Sequence, residues 1–199
     1  MGRPRLDPNL APTRARLIEA AAKEFASEGY AGARLARIAA GVGIRRPSLL
    51  YHFSTKEGLY AAVIHTVFRR LDAALQRAFS LEGEFSIQLD AVTRGYLHFL
   101  DEEPTFAPLL IRELLDGQGP GQALIREELL PLLDTVERFF ASSPSLRSGT
   151  PIRSSLLAIA ASGLLRSVSG ELREPLWGVG SSKLPALAAF LLLAQEPSL

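Results

Sequence analysis

Apolar residues recur at helical spacing along almost the whole chain. Ile18, Ala21, Ala22 and Phe25 stand at i, i+3, i+4 and i+7, one face of a helix. Thr13 is placed to cap that helix, Gly29 to end it in a left-handed turn, and Tyr30 to fold inward after it. Leu35, Ile38 and Ala39 predict a second, short helix, and Gly41-Val42-Gly43 supplies the backbone freedom of a sharp bend. A third short helix follows over Arg45 to Phe53, with Pro47 tolerated in its first turn and Leu49 and Phe53 packing inward. That arrangement leaves Arg45, Arg46, Ser48 and, at the far end, Tyr51 or His52 outside.

From Lys56 a long helix is predicted to about Phe79, with Leu59, Val63, Val67, Leu71 and Leu75 at four-residue steps and Ile64 and Phe68 widening its apolar stripe. Further helices are expected near 85–102, 106–116, 121–142, 151–170 and 182–195. Pro131 should kink the third of these, and Thr150-Pro151 should start the fourth. The fold class is therefore all-α. The last two helices are unusual: 152–168 mixes Leu156, Ile159 and Leu164 with small residues, and Leu184 to Leu193 is apolar on nearly every side. Such a helix needs partners all round, which a four-helix interface across a two-fold axis would supply. The alternative is that both simply fill the core of a monomer.

Charge changes this picture more than composition does. The net charge is only +1, but residues 1–56 hold 10 Lys and Arg against 4 Asp and Glu, whereas 57–199 hold 12 against 17. The excess of +6 at one end and −5 at the other points to a polyanion-binding N-terminal part. Residues 1–12, with Pro4, Pro8 and Pro12, are expected to form a flexible basic arm whose Arg3 and Arg5 reach a minor groove. No cysteine occurs, which excludes disulfides and thiolate chemistry and favours an intracellular setting. The longest apolar run, Leu184 to Ala194, is too short to span a membrane, so a cytoplasmic location is expected.

Catalysis and metal binding find no support in the sequence. His52, His65 and His98 form no short metal-binding spacing, and His65 and His98 are expected at the core or a pocket edge. Glu102-Glu103 and Glu127-Glu128 are adjacent pairs, whose side chains point about 100° apart on a helix and so cannot face one another as acid and base. There is no phosphate-binding glycine loop or nucleophile elbow, and no cofactor is implied.

Thr13 to Val67 carries Ile18-Glu19-Ala20-Ala21, Phe25, Gly29-Tyr30, Ile38-Ala39, Gly43-Ile44, Leu49, Tyr51-His52-Phe53 and Lys56-Glu57 in order. This stretch resembles the N-terminal domain of the TetR family of bacterial repressors. The resemblance implies a three-helix helix-turn-helix head over 13–56 that reads operator DNA through its third helix. It also implies a helical-bundle domain over 57–199 for ligand binding and dimerisation, a homodimer joined through the last two helices, and a fourth helix that couples ligand to head spacing. The sequence departs from the family pattern in three places. Ala33-Arg34 replaces two threonines, so Arg34 takes over a phosphate contact; Arg46-Pro47 replaces a Lys or Gln and a small residue; Leu50 replaces a DNA-contacting tyrosine.

The candidate DNA-binding set is therefore Arg3, Arg5, Arg34, Arg45, Arg46, Pro47, Ser48, Leu50, Tyr51, His52 and Lys56. Arg45 or Arg46 is the candidate base reader, because a guanidinium donates two bonds to guanine O6 and N7, and Lys56 is the candidate phosphate contact. A small-molecule effector pocket would draw on Phe68, Tyr96, Phe99, Phe106, Leu110, Phe139 and Trp177, a mostly apolar lining. Two other functional classes stay open at this point: a helical enzyme or small-molecule-binding protein with an incidental basic head, and a sequence-independent architectural DNA protein.

Overall fold

The computed structural model describes residues 10–116, 119–178 and 183–193, and Arg3 and Arg5 of the expected arm lie outside them. The described residues form ten α-helices and no strand: α1 Leu10–Gly32, α2 Leu35–Gly41, α3 Arg46–His52, α4 Lys56–Phe79, α5 Phe85–Glu102, α6 Phe106–Asp116, α7 Gly121–Ala141, α8 Ile152–Val168, α9 Arg173–Trp177 and α10 Leu184–Leu192. The all-α expectation holds. The chain divides into two compact units, one of Met1–Val67 with Pro108–Ile125, the other of Phe68–Ala107 with Arg126–Leu199. The expected head, 13–56, lies wholly within the first.

In the first unit, Leu17, Ala21 and Phe25 of α1, Ile38 and Ala39 of α2, Leu49 of α3 and Leu59, Tyr60 and Val63 of α4 are buried. They are the inward positions that the helical spacing picks out. α1 starts at Leu10 rather than after Thr13, so Thr13 is not its cap. Pro12 falls within the first turn, where backbone N–H groups have no helical acceptor and a proline costs little. Gly29 breaks the helical backbone of α1 at φ 72° and ψ 173°, a positive φ but not the left-handed helical cap expected there, and α1 resumes to Gly32. Tyr30 then folds back with its ring stacked on Phe25 and edge-on to Tyr60, at centroid distances of 6.1 and 5.1 Å.

In the second unit, α5, α8 and α10 pack together. Gly163 makes this possible, since a Cβ there would stand 2.7 Å from Cε1 of Tyr96. The Tyr96 hydroxyl donates to the Ala160 carbonyl at 2.9 Å, and burial pushes that phenol well above its ordinary range. Arg147 closes the C-terminal end of α10: its guanidinium donates to the carbonyls of Phe190 (2.6 Å) and Leu193 (3.2 Å), a cation where the helix dipole favours one.

Several local expectations are corrected. Thr150 does not cap α8; Pro151 holds that place, and among the described residues Thr150 Oγ1 is buried without a partner. Pro131 lies inside α7 as expected, and the Thr135 hydroxyl donates back to the Pro131 carbonyl at 2.9 Å. His65 and His98 are both exposed, and His98 lies 3.2 Å from Glu102 one turn on. The positions that share a face with His98, Arg94, Gly95, Asp101 and Glu102, are polar or without a side chain, and His65 lies off the buried stripe of Leu59, Val63 and Val67, so both histidines face solvent. α9 and the 3-10 turn Gly170–Leu172 before it were not foreseen, because five residues interrupted by Pro175 carry no readable period. No helix of the described residues is long and apolar enough to cross a membrane, and none of their side chains gather as a group of three or more potential metal ligands.

Candidate nucleic-acid interface

Arg34 caps α2 in extended backbone, its N–H bonded to Glu24 Oε1 at 3.1 Å while its side chain is left free. Gly43, at φ 78°, makes the turn that a side chain would strain. Arg45 then caps α3 in extended backbone and Pro47 occupies its first turn. Leu49 points inward with no exposure, and Phe53 is buried just past the helix end. The inward pull of those two residues leaves Arg45, Arg46, Pro47, Ser48 and Tyr51 exposed, with His52 half-buried and its ring against that of Tyr51.

Leu50 is half-buried. It lines a concavity of about 570 Å³ with Ala33, Arg34, Leu35, Ala36, Arg46, Ser54, Thr55 and Lys56. Three cations and two hydroxyls therefore share one depression with an apolar lining of Ala33, Leu35, Ala36 and Leu50. Lys56 is partly engaged: its ammonium donates to the Ala31 carbonyl at 3.2 Å and sits 4.9 Å from the Tyr30 ring centroid, leaving two of its three N–H groups. Thr55 Oγ1 accepts the Gly58 N–H at 3.0 Å and caps α4. The Ser54-Thr55 pair ahead of an apolar run was a readable signal for that cap, and sequence reasoning missed it.

The state of the cations divides this surface. Arg14 lies 4.7 Å from the centroid of the Phe53 ring, Arg16 donates to the Val42 carbonyl at 2.9 Å, and Arg37 pairs with Glu28 at 3.1 Å. Among the described residues, the side chains of Arg34, Arg45 and Arg46 have no such partner. Cations that serve the fold are tied down, and those facing outward from α2 and α3 are free for a polyanion.

Behind α3, Tyr30 donates to Glu57 Oε1 at 2.5 Å. Burial, then that hydrogen bond and the nearby charge, push the Tyr30 phenol up to about 12, and the same bond is the main cause holding the Glu57 carboxyl below its ordinary range. Because the folded phenol titrates above the free one, its contribution to stability is complete below pH about 10 and is lost as the pH rises toward 12. Phenolate absorbance of the wild type against Tyr30→Phe is expected to show one tyrosine titrating near 12, and Glu57→Gln to bring it down; an ordinary titration for Tyr30 would refute the contact.

Residues 17–63 match the family model described as bacterial regulatory proteins, tetR family, over the same α1 to α4 stretch that builds this surface. Over that stretch the chain is similar to the DNA-binding domain of the TetR family. RutR of Escherichia coli strain K12, an HTH-type transcriptional regulator, is 39% identical over 126 residues, 56% of each chain. YdgC of Bacillus subtilis, an uncharacterized HTH-type regulator, is 32% identical over 95 residues, 46% of this chain and 49% of its own. The chain spans about half the length of the curated relatives it matches. FadR of Bacillus halodurans, a fatty acid degradation regulator, superposes with a TM-score of 0.71 at 16% identity over 90% of this chain and 92% of its own. A TetR-like regulator from Rhodococcus sp. RHA1 gives 0.67 at 20% identity over 94% of both chains. These two likenesses show a shared all-α fold over nine-tenths or more of the chain.

The seven effector candidates fall into separate places. Phe68, Phe99 and Phe106 are buried and pack edge-on at 5.5 and 4.9 Å. Phe139 belongs to another ring cluster, 4.5 Å from Phe79 and 5.3 Å from Phe140. Tyr96 is bonded to Ala160, Trp177 is half-buried on α9, and Leu110 is core of the first unit. Phe68 also lines a groove of about 350 Å³ with Arg69, Asp72, Glu127, Glu128, Pro131, Leu132 and Thr135, a more charged surrounding than the apolar lining expected.

Proposed function

We propose that this protein is a DNA-binding transcriptional regulator, a repressor that acts in the cytoplasm as a homodimer on a palindromic operator and is released by a small molecule. The observation that carries it is the contrast between free and engaged arginines: among the described residues, the side chains of Arg34, Arg45 and Arg46 have no internal partner, whereas Arg14, Arg16 and Arg37 do. On this reading α3 enters the major groove with Arg45 or Arg46 donating to guanine. Arg34 and the two remaining Lys56 donors hold phosphates on either side of Leu50, and Leu50 meets the sugar or a thymine methyl. The relatives support the direction of the reading, being named as transcriptional regulators and, for FasR of Mycolicibacterium smegmatis, a transcriptional activator.

Dimerisation is supported by the outer face of α8 and α10, where Leu157, Leu165 and Phe190 remain exposed by 46, 53 and 61%. A ligand releases DNA by binding more tightly to the state whose two heads no longer match successive major grooves. Phe68, Tyr96, Phe99, Phe106, Leu110, Phe139 and Trp177 are the side chains proposed to respond to it. Selection of purified protein on randomised duplex DNA tests the core of the proposal. A discrete palindrome is expected; enrichment of nothing, as an architectural protein or an enzyme would give, overturns it.

A further inference from the structure

Two adjacent residues of α6, far from α3 in sequence, hold the helices around it. Arg112 donates through Nε to the Ala26 carbonyl at 2.9 Å and through Nη2 to the Ser27 carbonyl at 2.6 Å. Both carbonyls belong to the last turn of α1 before the break at Gly29, where a cation is favoured by the helix dipole. Glu113, next along, is only 2% exposed, and its Oε1 accepts the Tyr60 hydroxyl of α4 at 2.5 Å. Burial and then this bond drive the Tyr60 phenol far above its usual range. Tyr60 in turn packs edge-on to Phe25 of α1, at 4.7 Å between centroids.

Stability alone does not account for Glu113. Among the described residues its second oxygen is buried without a partner, and a half-satisfied buried carboxyl stabilises less than a leucine of similar size. The surroundings are nonetheless fitted to it. A Cβ on Gly119 would lie 2.8 Å from Oε2, and the Gln122 side-chain amide donates to Glu113's own carbonyl. What the carboxyl adds is direction, because an O–H···O bond fixes one rotation of α6 against α4 where apolar packing would accept several.

We propose that Arg112 and Glu113 are positioning residues for DNA reading, a two-point clasp by which α6 sets the end of α1 and the start of α4 and so the presentation of α3 between them. This rests on the DNA-reading proposal above. Glu113→Leu is expected to keep or raise the melting temperature yet lose about tenfold in operator affinity, with affinity for random duplex unchanged. Arg112→Ala, at an exposed side chain, is expected to show the same selective loss, and Arg112→Lys to recover part of it through one carbonyl. Unchanged operator binding in Glu113→Leu and Arg112→Ala, or equal losses on operator and random DNA, overturns the clasp. Hydrogen exchange gives a readout that needs no DNA: Arg112→Ala should lower protection at amides 29–33 with global stability preserved, and unchanged protection overturns the clasp independently. A wild type that selects no operator would sink the DNA reading and leave the clasp to be decided by exchange.

Discussion

Replacing Arg45 and Arg46 together by alanine is expected to lower operator affinity by on the order of a hundredfold or more, since each bidentate guanine contact contributes about 1–3 kcal/mol. Folding should hardly notice, because both side chains are exposed and exposed substitutions usually shift stability by less than about 0.5 kcal/mol. The salt dependence separates two roles for these arginines. If they read bases, the slope of log affinity against log salt stays nearly unchanged and random DNA is bound about as before. If they contact phosphates, the slope falls by about two and both DNAs are weakened alike. Arg34→Ala is the companion measurement for a phosphate contact, with a uniform loss and a slope smaller by about one. It is a cleaner probe than Lys56→Ala, which also removes the bond to Ala31 and the stacking on Tyr30. An unchanged operator affinity in the double variant would rule out α3 as the reading element.

The reading helix was legible because its determinants are local. Gly43 permits the turn, Pro47 tolerates only a first turn, and the four-residue step from Leu49 to Phe53 fixes which side is buried. The bounds of α5 and α6 were legible for the same reason, since their period is unbroken and glycines or prolines flank them. What escaped depends on contacts between residues distant in the chain. Leu50 sits at the margin of the buried face, and only the approach of residues 33–36 makes it part of a depression. Arg112 and Ser27 are 85 positions apart, and Arg112 next to Glu113 looks in the sequence like one more charged pair on a solvated helix. The scattering of the effector candidates has a similar origin, because aromatic residues at helical spacing pack on each other first, as Phe99 and Phe106 do.

Leu165→Glu is expected to give a folded monomer that no longer binds a full operator. Leu165 projects from α8 with 53% of its surface exposed, roughly opposite the buried Gly163 two residues before it. An outward glutamate is harmless to a monomer, but a two-fold axis would bring two copies into one interface. An unpaired carboxylate taken out of water costs several kcal/mol, so dissociation should strengthen by on the order of a hundredfold or more. Sedimentation would report the monomer and circular dichroism the intact helices. Operator binding should fall further than dimerisation alone suggests, since one head on a half-site forfeits the high effective concentration of the second. The Arg45 and Arg46 variant offers the converse, a dimer that has lost DNA. A Leu165→Glu protein that stays dimeric would move the interface off this face, whereas a monomer that still protects a full palindrome would mean that the two heads bind independently and that head spacing cannot be the switch.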